Sequence, residues 1–175
     1  MSQVPNSVLW LLEPPHQFRY EDGANCAKQN LLREASVAGI SIVRIIFARR
    51  VAKPDNIYRM LAADLFLDTF HYGAQSTASD SLRAGLPVLT LVGDSFASRV
   101  GFSLLENVGR DFSTLFASWS VDEYIETAVD IALDVVNTPP HAASFFSRLR
   151  YNLFLQSRES YLFNDEKYTR DQSDV

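Results

Sequence analysis

The stretch LFLDTFHYGAQSTASDSLRAGLPVLTL, Leu65 to Leu91, restricts the fold of this chain more than any other. Leu65–Asp68 and Pro87–Leu91 are short apolar runs bounded by turn residues, the pattern of strands buried in a parallel sheet. Between them, Ala78, Ser81, Leu82 and Gly85 recur at helical spacing. Ser76 or Thr77 can supply an N-cap, and Gly85 ahead of Pro87 supplies a stop. Strand, loop, helix, strand is a crossover unit. A loop of small residues entering a helix N-terminus also suits an anion, because the first N–H groups lack intrahelical acceptors and the helix dipole is positive there. Spacing alone leaves two uses of Ser76, Thr77 and Asp80 open: capping the helix, or lining an anion site.

The rest of the chain repeats the alternation. Val8–Leu12 is a short apolar run closed by Glu13-Pro14-Pro15, Ile42–Ala48 reads as a second strand, and Phe112–Ala117 as a short last one. Ala24, Ala27, Leu31, Ala35 and Ala38 form a helical stripe that ends at Gly39. After the basic loop Arg49, Arg50, Lys53, a helix starts at Pro54 and runs to about Ala63. Another spans Ser98–Asn107, with Gly109 beyond its end. Ser120-Val121-Asp122-Glu123 has the capping-box pattern, Val121, Ile125, Ala128, Ala132 and Val135 continue as a stripe, and Pro139-Pro140 breaks it. A last helix carries Ala142, Phe145, Leu149 and Leu153. Residues 1–165 thus read as one lobe and 166–175 as a polar tail that frays. The alternation predicts an α/β, doubly wound parallel sheet whose ligands sit beyond the carboxyl ends of the strands.

Composition narrows the function. With 175 residues, 47% of them hydrophobic, the chain is long enough to bury one core. The net charge is −5 and no basic cluster stands out, which argues against a nucleic-acid groove. The single cysteine, Cys26, excludes an internal disulfide and a CxxC metal site, and His16, His71 and His141 lack metal-ligand spacing, so no metal is expected. The start, MSQVPNS, has no signal-peptide pattern, and no apolar run approaches the roughly eighteen residues of a membrane span, so the expectation is a soluble, cytoplasmic protein. Asp68 ends a strand and can cap the loop after it, where His71 reads as exposed. Phe145, Phe146, Tyr151, Phe154, Tyr161 and Phe163 are expected to pack on a core or a partner lobe.

Five blocks carry a resemblance: VPNSVLWLL at Val4–Leu12, RIIF at Arg44–Phe47, ADLFLDTF at Ala63–Phe70, TASDSLRAGLPVLTL at Thr77–Leu91 and SFASRV at Ser95–Val100. In this order and spacing the chain resembles the O-GlcNAc transferase family, glycosyltransferases often fused to tetratricopeptide repeats. The resemblance implies the C-terminal, Rossmann-like lobe of a GT-B glycosyltransferase. The implied reaction is inverting transfer of N-acetylglucosamine from UDP-GlcNAc to a protein serine or threonine, with no metal or other cofactor. Gln75, Ser76 and Thr77 would meet the UDP diphosphate, Gln75 standing where the family has histidine. Lys53, Asn56, Arg59 and Asp80 would meet the nucleoside. Asn56 replaces a histidine that packs on uridine in the family, an expected loss of about 1 kcal/mol by analogy with base stacking.

The resemblance also says what is missing. The family's lobe begins with a strand, a loop bearing a diphosphate-contacting lysine, and a helix, all ahead of the first block here. The expected sheet therefore lacks its first strand, central in the usual order. The chain alone is expected to be a marginal or rearranged domain, a fragment or a truncated gene product, without activity of its own. A second class of function stays open, an interaction module that keeps the fold without the chemistry. A third, an unrelated nucleotide-binding or receiver-like domain, would require the blocks to match by accident.

Overall fold

The computed structural model describes residues 1–13, 23–139 and 142–173, so the readings made on Pro14, Pro15, His16, Pro140 and His141 lie outside the described residues. Two compact units divide the chain after Asn56.

In the first unit, β1 (Leu9–Leu12) and β2 (Ile45–Ala48) pair in parallel, Leu9 opposite Ile45 and Leu12 opposite Ala48. Helix α1 (Gly23–Val37) is the crossover between them. It closes where expected: Gly39 has φ +72°, and the Ile40 N–H donates to the Ala35 carbonyl at 2.8 Å, a left-handed cap that glycine adopts without a Cβ penalty. The strand expected over Ile42–Ala48 is shorter, because Ile42–Arg44 forms a 3-10 turn. Arg44 at its end donates to the carbonyls of Val4 (2.6 Å) and Ser7 (2.7 Å), tying this turn to the N-terminal segment. Lys28 lies 4.6 Å above the Phe47 ring and joins α1 to β2. The α1 stripe is thinly covered, with Ala27, Leu31 and Ala38 all exposed. Helix α2 (Lys53–Met60) has Pro54 in its first turn and carries the boundary between the units.

In the second unit, β3 (Phe66–Leu67), β4 (Val88–Leu91) and β5 (Ala117–Ser118) form a parallel sheet with β4 in the middle. The helices are α3 (Ser76–Arg83), α4 (Val100–Val108), α5 (Arg110–Phe116), α6 (Val121–Asn137), α7 (Phe145–Glu159) and α8 (Asp165–Ser173). Ala78 and Leu82 of α3, Val88 of β4, Leu105 of α4, Phe112 and Phe116 of α5, and Phe146 and Leu153 of α7 share one buried core. Arg150 of α7 is held between the Gly85 carbonyl (3.4 Å) and Asp64 (3.7 Å). Burial lowers its guanidinium pKa, with Asp64 opposing.

Three expectations are corrected here. The strand expected over Phe112–Ala117 is helix α5 followed by two strand residues. Phe112, Ser113 and Phe116 are buried at helical spacing, and the alternation of a strand would not put them on one side. On α6 the start of the stripe is rotated, Val121 and Ile125 being exposed and Tyr124 buried, whereas Val135 packs on the core as expected, beside Ile131. Tyr124 sets that rotation by donating its hydroxyl to the Asp68 carbonyl at 3.0 Å. The tail is helical to Ser173, with the Asn164 side chain accepting from the Lys167 N–H at 2.9 Å as a cap on α8. Among the C-terminal aromatics, Phe146 is buried and Phe154 and Phe163 half-buried, while Phe145, Tyr151 and Tyr161 are exposed.

Half of the expected capping box of α6 forms, the Glu123 carboxylate reaching past the N-cap Ser120 to the residue before it. Ser120 Oγ accepts from the Glu123 N–H at 3.1 Å, and Glu123 Oε2 accepts from the Trp119 N–H at 2.6 Å. Ser120→Ala is expected to cost about 1 kcal/mol, read as a lower Tm for the second unit. An unchanged melt would mean that Glu123 holds this helix end alone.

Among the described residues β1 pairs only with β2, and β3 only with β4. No helix among the described residues is long and apolar enough to cross a membrane.

Candidate functional site

The carboxyl end of β3 is built around Asp68, which is 4% exposed. Its Oδ1 accepts from the Thr69 N–H at 2.9 Å and the Ala74 N–H at 2.7 Å, and its Oδ2 accepts from Thr90 Oγ1 at 2.8 Å. One oxygen thereby closes the neck of the loop between β3 and α3, and the other ties that neck to β4. Within the loop, Thr69 Oγ1 donates to the Tyr72 carbonyl at 2.6 Å, and the Gly73 N–H donates to the Ala97 carbonyl at 2.9 Å. Two glycines leave room for the carboxylate. A Cβ at Gly73 would lie 3.0 Å from Asp68 Oδ2, and one at Gly101 would lie 2.9 Å from it and 2.7 Å from Thr90 Oγ1. Burial, and secondarily the charge of Asp68, push the Tyr124 phenol well above its ordinary pKa.

This loop delivers the chain into α3. Gln75 takes the N-cap position, with φ −106° and ψ −89°, and its side chain makes no capping hydrogen bond. Ser76 and Thr77 are exposed residues inside the first turn, so the capping role that spacing left open to them is not the one they play. Gln75 Nε2 donates instead to Tyr72 Oη at 3.3 Å. The first turn thus offers free-standing N–H geometry and two hydroxyls to solvent at the carboxyl end of the sheet, as an anion site requires. Asp80 is half-buried one turn further on. Ser81 donates its hydroxyl to the Thr77 carbonyl at 2.8 Å and contacts Met60 Sδ at 3.7 Å, which sets α3 against the end of α2.

Lys53, Asn56 and Arg59 follow one another at three-residue intervals along α2, winding around one side of it. Lys53 is exposed, and Asn56 and Arg59 are half-buried. Lys53 and Asn56 belong to the first unit, whereas Arg59, Gln75, Ser76, Thr77 and Asp80 belong to the second, where the α3 residues are brought together. His71 is exposed on the loop. Among the described residues, no three His, Cys, Asp or Glu side chains group as metal ligands. Sequence reading gave Asp68 only a capping role and passed over Thr90, Tyr124, Gly73 and Gly101. The available signal was Thr90 itself, a hydroxyl inside the otherwise apolar run VLTL, whose burial demands a partner.

Comparison with known proteins identifies the family and the fold. Residues 1–172 match the model of Glycosyl transferase family 41. The whole chain is 29% identical to the UDP-N-acetylglucosamine--peptide N-acetylglucosaminyltransferase of Caenorhabditis elegans and spans 14% of that protein. Over 134 residues, 77% of the chain, it is 33% identical to the probable UDP-N-acetylglucosamine--peptide N-acetylglucosaminyltransferase SEC of Arabidopsis thaliana, spanning 13% of it. In structure, 97% of the chain matches 29% of a Thermobaculum terrenum O-GlcNAc transferase mutant, with a TM-score of 0.75 at 23% identity, a likeness of fold. The chain is thus a small part of the length of its relatives, and with nearly every residue inside the match it belongs to glycosyl transferase family 41, the O-GlcNAc transferase family.

Proposed function

We propose that this chain is the donor-nucleotide half of a glycosyltransferase, the C-terminal lobe that binds UDP-GlcNAc for inverting transfer of N-acetylglucosamine to a protein serine or threonine. The observation that carries the reading is the exposed first turn of α3, which the Gln75 side chain does not cap, at the carboxyl end of β3. Its N–H groups, with the hydroxyls of Ser76 and Thr77 and the amide of Gln75, would hold the diphosphate. They would stabilise the charge that grows on the UDP leaving group, which requires no metal. Lys53, Asn56, Arg59 and Asp80 would position the nucleoside. No residue of this chain is assigned to the acceptor site or to the base that takes the acceptor's proton, so the chain by itself would bind donor without turning it over. The cytoplasm is the compartment that the family resemblance implies.

A calorimetric titration of UDP into the chain, with GDP as competitor and circular dichroism as the check on folding, tests this. Saturable binding that prefers UDP, weakened about tenfold in Asp80→Ala, is the expected result. A folded chain that ignores UDP would favour the second reading, an interaction module that has kept the fold and lost the chemistry. Gln75, whose amide turns toward Tyr72 and carries no positive charge, is the feature that favours it.

A further inference from the structure

Asp68 is more than a loop cap. A carboxylate buried to this degree is costly unless it is well hydrogen-bonded, and here it accepts from two backbone N–H groups and one hydroxyl. Its own backbone is pinned as well, the N–H donating to the Leu89 carbonyl at 2.9 Å and the carbonyl accepting from Tyr124 Oη at 3.0 Å. The residue is therefore fixed to β4 and α6, and through Oδ1 it fixes Ala74, two residues ahead of the first residue of α3. With both oxygens engaged and the side chain buried, Asp68 is placed to hold the loop and not to touch a ligand.

We propose that Asp68 is the positioning residue of the diphosphate site: its carboxylate clamps the neck of the 69–74 loop so that the first turn of α3 stands at a fixed place and angle. This rests on reading that turn as the diphosphate site. The clamp does not require a charge. Asparagine in the same rotamer can accept from both N–H groups through Oδ1 and donate through Nδ2 to Thr90 Oγ1, which has lone pairs to receive it. Alanine can do neither. The Gly73 position acts on the same clamp from outside, since a Cβ there would press on Asp68 Oδ2 and on the Ala97 carbonyl, each at 3.0 Å.

The test titrates UDP and uridine separately into the complete chain and into Asp68→Asn, Asp68→Ala and Gly73→Ala. Asp68→Asn is expected to keep UDP affinity within about threefold of the unmodified chain, and Asp68→Ala to lose about tenfold or more. The Asp68→Ala loss is expected for UDP and not for uridine, which has no phosphate to place; a general loss of structure would weaken both alike. Equal losses for the two ligands, or an Asp68→Asn as weak as Asp68→Ala, would overturn the positioning role while leaving the diphosphate site in place. Failure of the unmodified chain to bind UDP would overturn the site, and this role with it. Should Asp68→Ala not fold, Gly73→Ala decides: a selective loss of UDP affinity of about threefold or more supports the clamp, and unchanged UDP binding sinks it.

Discussion

Phe146→Ala is expected to destabilise the second unit by about 3 to 5 kcal/mol. Its ring is 2% exposed, lies edge-on to Phe116 at 6.4 Å and 72°, and joins α7 to the core shared by α3, β4, α4 and α5. Truncation removes the transfer energy of a whole phenyl group, leaves a cavity among side chains held by their own helices, and forfeits an aromatic pair worth about 0.5 to 1.5 kcal/mol. One feature moderates the loss. A cleft of about 320 Å³ lined by Phe116, Ile131, Phe145, Phe146 and Leu149, among others, borders the ring, so water can enter the vacated space. Against a usual domain stability of about 5 to 15 kcal/mol, the lower figure is already a large fraction. The chain has two tryptophans, Trp10 in the first unit and Trp119 in the second, so a Trp10→Phe background lets Trp119 fluorescence report on the second unit alone. Urea unfolding should show a lower midpoint at an unchanged slope. A loss under about 1 kcal/mol would mean that α7 docks through Leu153 without needing Phe146.

Gly85→Ala is expected to cost about 2 to 5 kcal/mol, from two separable sources. Gly85 ends α3 at φ +74°, a conformation that costs an L-residue about 1 to 2 kcal/mol. A Cβ there would also lie 2.9 Å from Phe154 Cβ and 3.5 Å from its Cα, so the backbone of α7 itself stands in the way, and overpacking adds about 1 to 3 kcal/mol. Gly39 is the internal control. Its φ is +72° and a Cβ would meet nothing within 4 Å, so Gly39→Ala carries the dihedral cost alone. Measured on the unit each belongs to, the two losses should differ by the clash. Equal losses would show that α7 shifts away from Gly85 at no cost.

What the sequence disclosed and what it hid differ in range. Helix α3 was legible almost to the residue because its signals are local: small residues into the first turn, Ala78, Ser81 and Leu82 on one side, and Gly85 and Pro87 at the end. The turn at Gly39 was legible for the same reason. Helix α5 was misread because FSTLFA combines aromatic and β-branched residues that favour strands in isolation, and only the core on one side of Phe112 and Phe116 makes it helical. The rotation of α6 is set by Tyr124 reaching a carbonyl 56 residues earlier, a contact no local pattern announces. At the site, the open first turn of α3 could be anticipated from loop and helix signals. The roles given to Lys53, Asn56, Arg59 and Asp80 came from family resemblance, since along a helix such residues look like any solvated charges.

The core of the second unit also dictates when it can form during synthesis. Ala78, Leu82 and Val88 are made early, but Phe146 and Leu153, which cover them, are made some seventy residues later, by the numbering of the core. A nascent chain that has emerged from the ribosome only as far as α6 would present the apolar sides of α3, β4 and α5 with no lid. Such a half-made lobe exposes sticky surface and is a natural client for chaperones, and collapse into the final packing waits for α7 to leave the exit tunnel.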